Sequence, residues 1–391
     1  MKRFAPSFFA FVVAVLSGCA TSDPYAALPR SGDPTRDGEF FLQKGPARDR
    51  VLWQYRLAAG ALRRGNYGEP KSLLDDALLS LGGLAVGDKE ARKARGYFRE
   101  EARKTFLGEP HERVMAYYYR GLLYWKDGEP DNARACFRSA QIQDADAENK
   151  AYASDYVLLD YLDGLVTAKL GGDGADAFKR ATNFCKIAIP PAYDASANVL
   201  FFIDLGTGPT KFAGGDFNQE LHFKPGHSAA REAVIRVEQQ AVRVGAYDDL
   251  TFQATTRGGR VMDHVLANKA VFKSGTDAFG DAAIIGGALT ATAGRREDIG
   301  LGLVAAGIIS KIVSASTTPA ADTRSWDNLP QFLSFAALRL DPGQHTATIE
   351  FLDSSTRVIA GLTKTVTFRV SDSRKDTVIF VSDQSSTPQT L

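Results

Sequence analysis

Hydrophobic and polar positions change their rhythm along this chain. An apolar run from Phe4 to Leu16 follows Lys2 and Arg3, residues 20–48 show no period and are rich in Pro, Gly, Ser and Asp, and from about 49 to 190 apolar residues recur at helical spacing. Ile189-Pro190-Pro191 ends that run, since proline lacks an amide donor and restricts the residue before it. Beyond it the pattern is strand-like. Asn198 to Asp204 is a continuous β-rich run suited to a buried strand, Gln219–Phe223 and Leu250–Ala254 add alternation or β-branched content, and Ala233–Val244 suits either strand or helix. Ala336–Leu340, the turn Asp341-Pro342-Gly343, His345–Leu352, Lys364–Val370 and Thr377–Val381 predict a small antiparallel β-domain of sandwich type. Between the two β portions, Phe279 to Ser316 intersperses glycines among Ala, Ile, Leu and Val around the charged turn Arg295-Arg296-Glu297-Asp298. It predicts a helical hairpin, either packed on a domain or touching membrane or a second subunit; its arm Ile299–Ser310 is too short to span a bilayer.

The helical stretch carries a recurrent spacing. Val114 to Asp146 places Tyr117, Gly121, Tyr124, Gly128, Ala133, Phe137 and Ala140 where the tetratricopeptide consensus has aromatic, small, aromatic, turn glycine, alanine, aromatic and alanine. Small residues let the two helices of a repeat touch while the aromatics fill the space to the next one. Looser windows, Trp53–Leu81 and Asp155–Lys186, flank it, with the charged stretch Gly87–Phe106 between the first two. The stretch thus resembles a short tetratricopeptide array, about three units being enough to bury a continuous core. The fold class expected is α+β: a tetratricopeptide-like helical domain over 49–190, β-domain parts at 195–265 and 318–385, a glycine-rich helical insertion at 266–317, and a tail at 386–391.

The N-terminus has the basic start, apolar core and small residues of a secretory signal, and its apolar run is shorter than the roughly 20 residues a membrane span needs. Leu16-Ser17-Gly18-Cys19 resembles the lipobox of bacterial lipoproteins. That resemblance implies removal of residues 1–18, acylation of Cys19 and stable bilayer attachment by its acyl chains, with 19–48 as a tether spanning roughly 30 Å. Ala20, where inner-membrane lipoproteins carry aspartate, implies the periplasmic face of the outer membrane.

Charge then narrows the partners. Lys and Arg number 47 against 46 Asp and Glu, without a basic cluster, so the electrostatic term that nucleic-acid binding depends on is missing. Cys136 and Cys185 either pair in the oxidising compartment that export implies or remain buried thiols.

Chemistry is sparsely signalled. His222 and His227 are five apart on a stretch broken by Pro225 and have no cysteine or acidic cluster to complete a metal site. The chain contains no G-x-S-x-G, H-E-x-x-H or Walker-type signature. No cofactor, metal or catalytic residue is therefore expected.

The most individual motif is Ala321-Asp322-Thr323-Arg324-Ser325-Trp326-Asp327-Asn328-Leu329-Pro330. Asp322 and Arg324 suit a charged pair and Trp326 and Leu329 a cover on the sheet; alternatively Arg324 and Trp326 anchor a binding surface, a combination frequent at interface hot spots. Lipobox, helical repeats, hydrophobic strand, glycine-rich stretch, this motif and terminal strands together resemble an uncharacterised family of bacterial lipoproteins. The resemblance implies no activity. The function expected is a non-enzymatic envelope scaffold that binds partner proteins in the groove of its first helices, with Tyr118 and Arg120, beside Tyr117 and Tyr124, as candidate contacts. The alternatives are peptidoglycan or polysaccharide binding, with Trp326 stacking on sugars, and an envelope hydrolase with a dispersed site.

Overall fold

A computed structural model describes residues 31, 33–85, 105–145, 150–214, 220–255, 321–371 and 375–391. The segment expected to be a signal, Cys19 and the glycine-rich segment 279–316 lie outside the described residues.

The first described helix, α1 (Pro34–Lys44), occupies the segment expected to be a loose tether. Asp33 explains its start: its carboxylate accepts the N–H groups of Thr35 and Arg36 at 2.8 and 3.3 Å, and Pro34 supplies a preset φ in the first turn. Phe41 then stacks on Trp53 with ring centroids 4.7 Å apart. A few apolar residues among many turn formers gave no readable period, yet one buried aromatic suffices to dock the helix.

Three helical hairpins follow: α2 (Arg50–Arg63) with α3 (Glu69–Ala85), α4 (Pro110–Asp127) with α5 (Pro130–Asp144), and α6 (Val157–Lys169) with α7 (Ala175–Phe184). The middle hairpin shows why its sequence folds this way. Gly128 closes α4 at φ 86°, a left-handed conformation that glycine adopts without strain, and Pro130 opens α5. Gly121 faces Phe137 so closely that a Cβ there would stand 2.6 Å from the ring, so the helices can pack only around glycine.

The remaining chain builds two sheets and a small hairpin. β1 (Val199–Leu205), β6 (Asp248–Asp249), β7 (Phe332–Leu338) and β10 (Thr377–Ser382) form a four-stranded sheet in the order β10-β1-β7-β6. β4 (Glu232–Val237), β5 (Gln240–Gly245), β8 (Gly343–Leu352), β9 (Lys364–Val370) and β11 (Gln389–Thr390) form a five-stranded one in the order β11-β9-β8-β4-β5. β2 (Thr210–Gly214) pairs with β3 (Glu220–Lys224).

The molecule is mixed α+β, and its sheets are mixed rather than purely antiparallel: β1 runs parallel to β10 and β11 parallel to β9. The expected tail is therefore partly strand, since Gln389 sits opposite Val366 and its amide donates to the Arg63 carbonyl at 2.8 Å. Leu250–Ala254, expected as strand-like, lies in helix α8 (Leu250–Thr255), with Asp249 accepting the Thr251 N–H at 2.8 Å. Ala233–Val244 resolves into β4 and β5 joined at Glu238, whose φ is 53°.

Strand alternation assigns the core. Leu200 and Phe202 of β1, Phe335 of β7 and Phe380 of β10 pack against the helices, whereas Val199, Phe201 and Ile203 face Ile235, Ile349 and Phe368 of the other sheet. The four-stranded sheet is thus a middle layer, covered by helices on one face and by the second sheet on the other. This double burial is why β1 reads as unbroken apolar sequence.

Candidate functional site

The first helices of the hairpins meet this middle sheet. Tyr118 and Tyr119 of α4 are fully buried, with Tyr118 packing on Phe202 and Tyr119 on Phe380 at centroid distances of 6.0 and 5.9 Å. Tyr118 is therefore corrected from a partner contact to a core residue: the side of the array expected to hold a partner holds the chain's own β1 and β10. Arg120 is also turned inward. Its guanidinium bonds both oxygens of Asp75 at 2.6 and 3.1 Å and stacks on Tyr124 at 3.5 Å, tying α4 to α3. Cys136 and Cys185 are both free, and burial pushes the Cys136 thiol up to about 11.

Of the two roles open to Trp326, the structure favours the buried cover and corrects the binding anchor. Trp326 is fully buried and stacks on Tyr55 of α2 at 4.4 Å, out of reach of a sugar or a partner. Its backbone N–H donates to Glu112 at 2.6 Å, and the other oxygen of Glu112 accepts Lys211 Nζ at 2.6 Å. Lys211 donates as well to the Arg324 carbonyl at 2.8 Å. Arg324 pairs with Asp322 as expected, at 2.6 Å, and also reaches Asp49 at 2.6 Å. Burial opposes the charge of Asp322, but the Arg324 fork outweighs it and holds the carboxyl below its usual range. The motif is thus the clasp that joins α2, α4 and β2. Sequence reasoning missed Glu112 and Lys211, although Glu109-Pro110-His111-Glu112 carries a capping-box spacing: Glu112 accepts the Glu109 N–H at 2.6 Å.

Among the described residues, two concavities bear on function. The first is a groove of about 340 Å³ on the outward side of α5, α6 and α7. Asp163 is its pivot, with its carboxylate 2.7 Å from Arg134, 3.0 Å from Arg138 and 3.7 Å from Arg180. Arg180 also meets Asp160 at 3.1 Å. Three guanidinium groups thus surround two buried carboxylates, while Arg138 and Arg180 keep about half their surface in solvent, at 56% and 48%. Ile142 on the rim is 69% exposed.

The second is a cavity of about 150 Å³ where the start of α6, the end of α7 and α8 meet. Asp248 caps α6, each oxygen accepting one N–H, from Val157 and Leu158, at 2.9 Å. Burial still pushes its carboxyl up to about 7, against the pull of those amides. Asp155 beside it accepts Gln253 Nε2 at 2.9 Å, and burial raises its carboxyl too. Phe184, Tyr247 and Phe252 wall the space.

No protein-family model, curated protein or solved structure matches this chain. Among the described residues, no group of three or more His, Cys, Asp or Glu is arranged to hold a metal ion, and no helix is long and apolar enough to cross a membrane.

Proposed function

We propose that this chain is a non-enzymatic adaptor of the cell envelope, held to the outer membrane by an acylated Cys19, whose tetratricopeptide-like hairpins present their outer side to a protein partner. The carrying observation is the arginine groove. The inner side of the hairpins is filled by the middle sheet, so binding falls to their outer side, where the concavity of α5–α7 lies, and its half-exposed Arg138 and Arg180 favour a partner segment rich in carboxylates. The apolar rim at Ile142 adds contact area that water otherwise covers.

Cross-linking in detergent-solubilised envelopes tests the reading. A partner captured by the wild type should be lost with Arg138→Gln combined with Arg180→Gln and retained with Arg243→Gln, a control on the distant edge strand β5. Equal capture by all three would remove the groove from the function. Anchoring has its own readout: Cys19→Ser should abolish acyl labelling and release the chain from membranes.

A further inference from the structure

The smaller cavity has a different chemistry from the groove and is independent of it. Its walls are aromatic, its floor is acidic, and a cation already stands at its mouth. Lys186 Nζ lies 4.0 Å from the centre of the Phe252 ring and 3.5 Å from Asp155 Oδ2, while half of its side chain stays exposed. An ammonium over a ring face with a carboxylate behind it is a favourable placement. The 3.5 Å separation is nevertheless long for a charge-assisted bond, so Lys186 is held loosely.

We propose that this cavity binds a primary alkylammonium group, and that Lys186 is its tethered and displaceable occupant. Size limits the ligand. About 150 Å³ is below the ~300 Å³ at which pockets for drug-sized molecules begin, so the space suits one small amine or one side chain. Geometry selects ammonium over guanidinium. Asp155 Oδ1 is engaged by Gln253, both Asp248 oxygens by the α6 amides and Asp249 by the amides of Thr251 and Phe252, so none of these three carboxylates offers an open edge to a planar fork, whereas Asp155 Oδ2 suits a point donor. The stem of the amine would lie along Phe184, Ile187 and Tyr247. Asp155 also adds to the upward push on the Asp248 carboxyl, so a bound cation is favoured on this acidic floor.

The amine could come free in solution or on a lysine of another protein, and calorimetry on the full chain separates the two. One arm titrates n-butylammonium chloride; the other titrates a short peptide with one lysine and blocked ends. Binding in either arm supports the site, and the tighter arm names the source. Lys186→Ala should bind the tighter probe about fivefold more strongly than wild type, because the exposed internal pair no longer competes. In that background Asp155→Asn should abolish binding, and Phe252→Leu, which keeps the apolar wall and loses the ring face, should weaken it by about threefold to tenfold. No binding in either arm, or affinity unchanged by both Lys186→Ala and Phe252→Leu, overturns the proposal even if Asp155→Asn fails to fold.

Discussion

The two sides of the helical layer are built on opposite terms. The inner side meets the middle sheet through aromatic rings, Tyr118 on Phe202 and Tyr119 on Phe380, all shut off from water. The outer side meets solvent through the Arg134, Arg138 and Arg180 fan around Asp163. Apolar burial supplies most of the stabilisation in a fold, whereas exposed ion pairs contribute about 0–1 kcal/mol each. The contrast separates the side that holds the chain together from the side free to recognise something else. It also places the largest expected effects on the inner side.

Phe202→Ala is the severest test. Its ring is fully buried between Tyr118, Trp125 and Phe335, so truncation removes apolar area and leaves a cavity, at about 4 kcal/mol. Ile142→Ala on the outer rim should stay within about 0.5 kcal/mol. Urea denaturation measures both, and similar costs at the two positions would erase the distinction.

The clasp is a charged element on the buried side. Lys211 and Glu112 have side-chain exposures of 1% and 0%, so Lys211→Met strands a carboxylate away from water and should cost about 3 kcal/mol. Adding Glu112→Gln should return part of that loss, since the stranded charge disappears while the cap to the Trp326 and Glu109 amides is weakened rather than removed. A double mutant no more stable than Lys211→Met alone would mean that the lysine's packing, not its charge, holds the clasp.

A third test uses pH. Asp204 at the end of β1 is fully buried and accepts the Tyr119 hydroxyl at 2.5 Å. Burial drives its carboxyl up to about 7, with Tyr119 and Arg63 pulling down and Asp383 pushing up. A raised carboxyl binds its proton more tightly folded than unfolded, so this group's contribution to stability falls as pH rises from about 4 to about 7 and stays low above. Asp204→Asn should remove that slope and stabilise the chain at pH 8 by on the order of 2 kcal/mol. Thermal unfolding across that range decides it; an unchanged slope assigns the pH dependence to the other carboxyls that burial raises, Asp248 and Asp383 among them.

Much of the inner side was legible from sequence and little of the outer side was. Helical period, the Gly128 turn and the close approach at Gly121 are local, so the hairpins could be read from spacing alone. The apolar run of β1 announces a buried strand. What covers its faces is not readable in the sequence, because contacts between α4 and β1 or β10 join residues far apart in the chain, and for that reason Tyr118 reads as a partner contact and Trp326 suits either a cover or an anchor. The Asp322–Arg324 pair was visible because it is two residues apart; Lys211, which completes the clasp, was not. The arginine groove was hidden for the same reason. Arg134, Arg138 and Arg180 read as ordinary charges on helix surfaces until the fold of α6 brings Asp163 between them.

The smallest single effects belong to that groove, and their combination sharpens the comparison most finely. Arg134→Gln or Arg138→Gln alone should each cost no more than about 0.5 kcal/mol, because two guanidinium groups remain beside Asp163 and a partly exposed pair is screened by water and salt, whereas Arg180→Gln should cost more because it also takes the guanidinium from the buried Asp160. Removing all three should cost more than the sum of the singles. Asp163 has a side-chain exposure of only 7%, and without any arginine it becomes a buried charge lacking a counter-ion, a situation worth several times an exposed pair. The excess should persist at high salt while the single-site costs fade, since ions reach the exposed guanidinium groups but not the carboxylate beneath them. Strict additivity in urea denaturation would mean that water reaches Asp163 freely. The groove would then be an ordinary solvated surface, and the difference between the two sides of the layer would be one of composition alone.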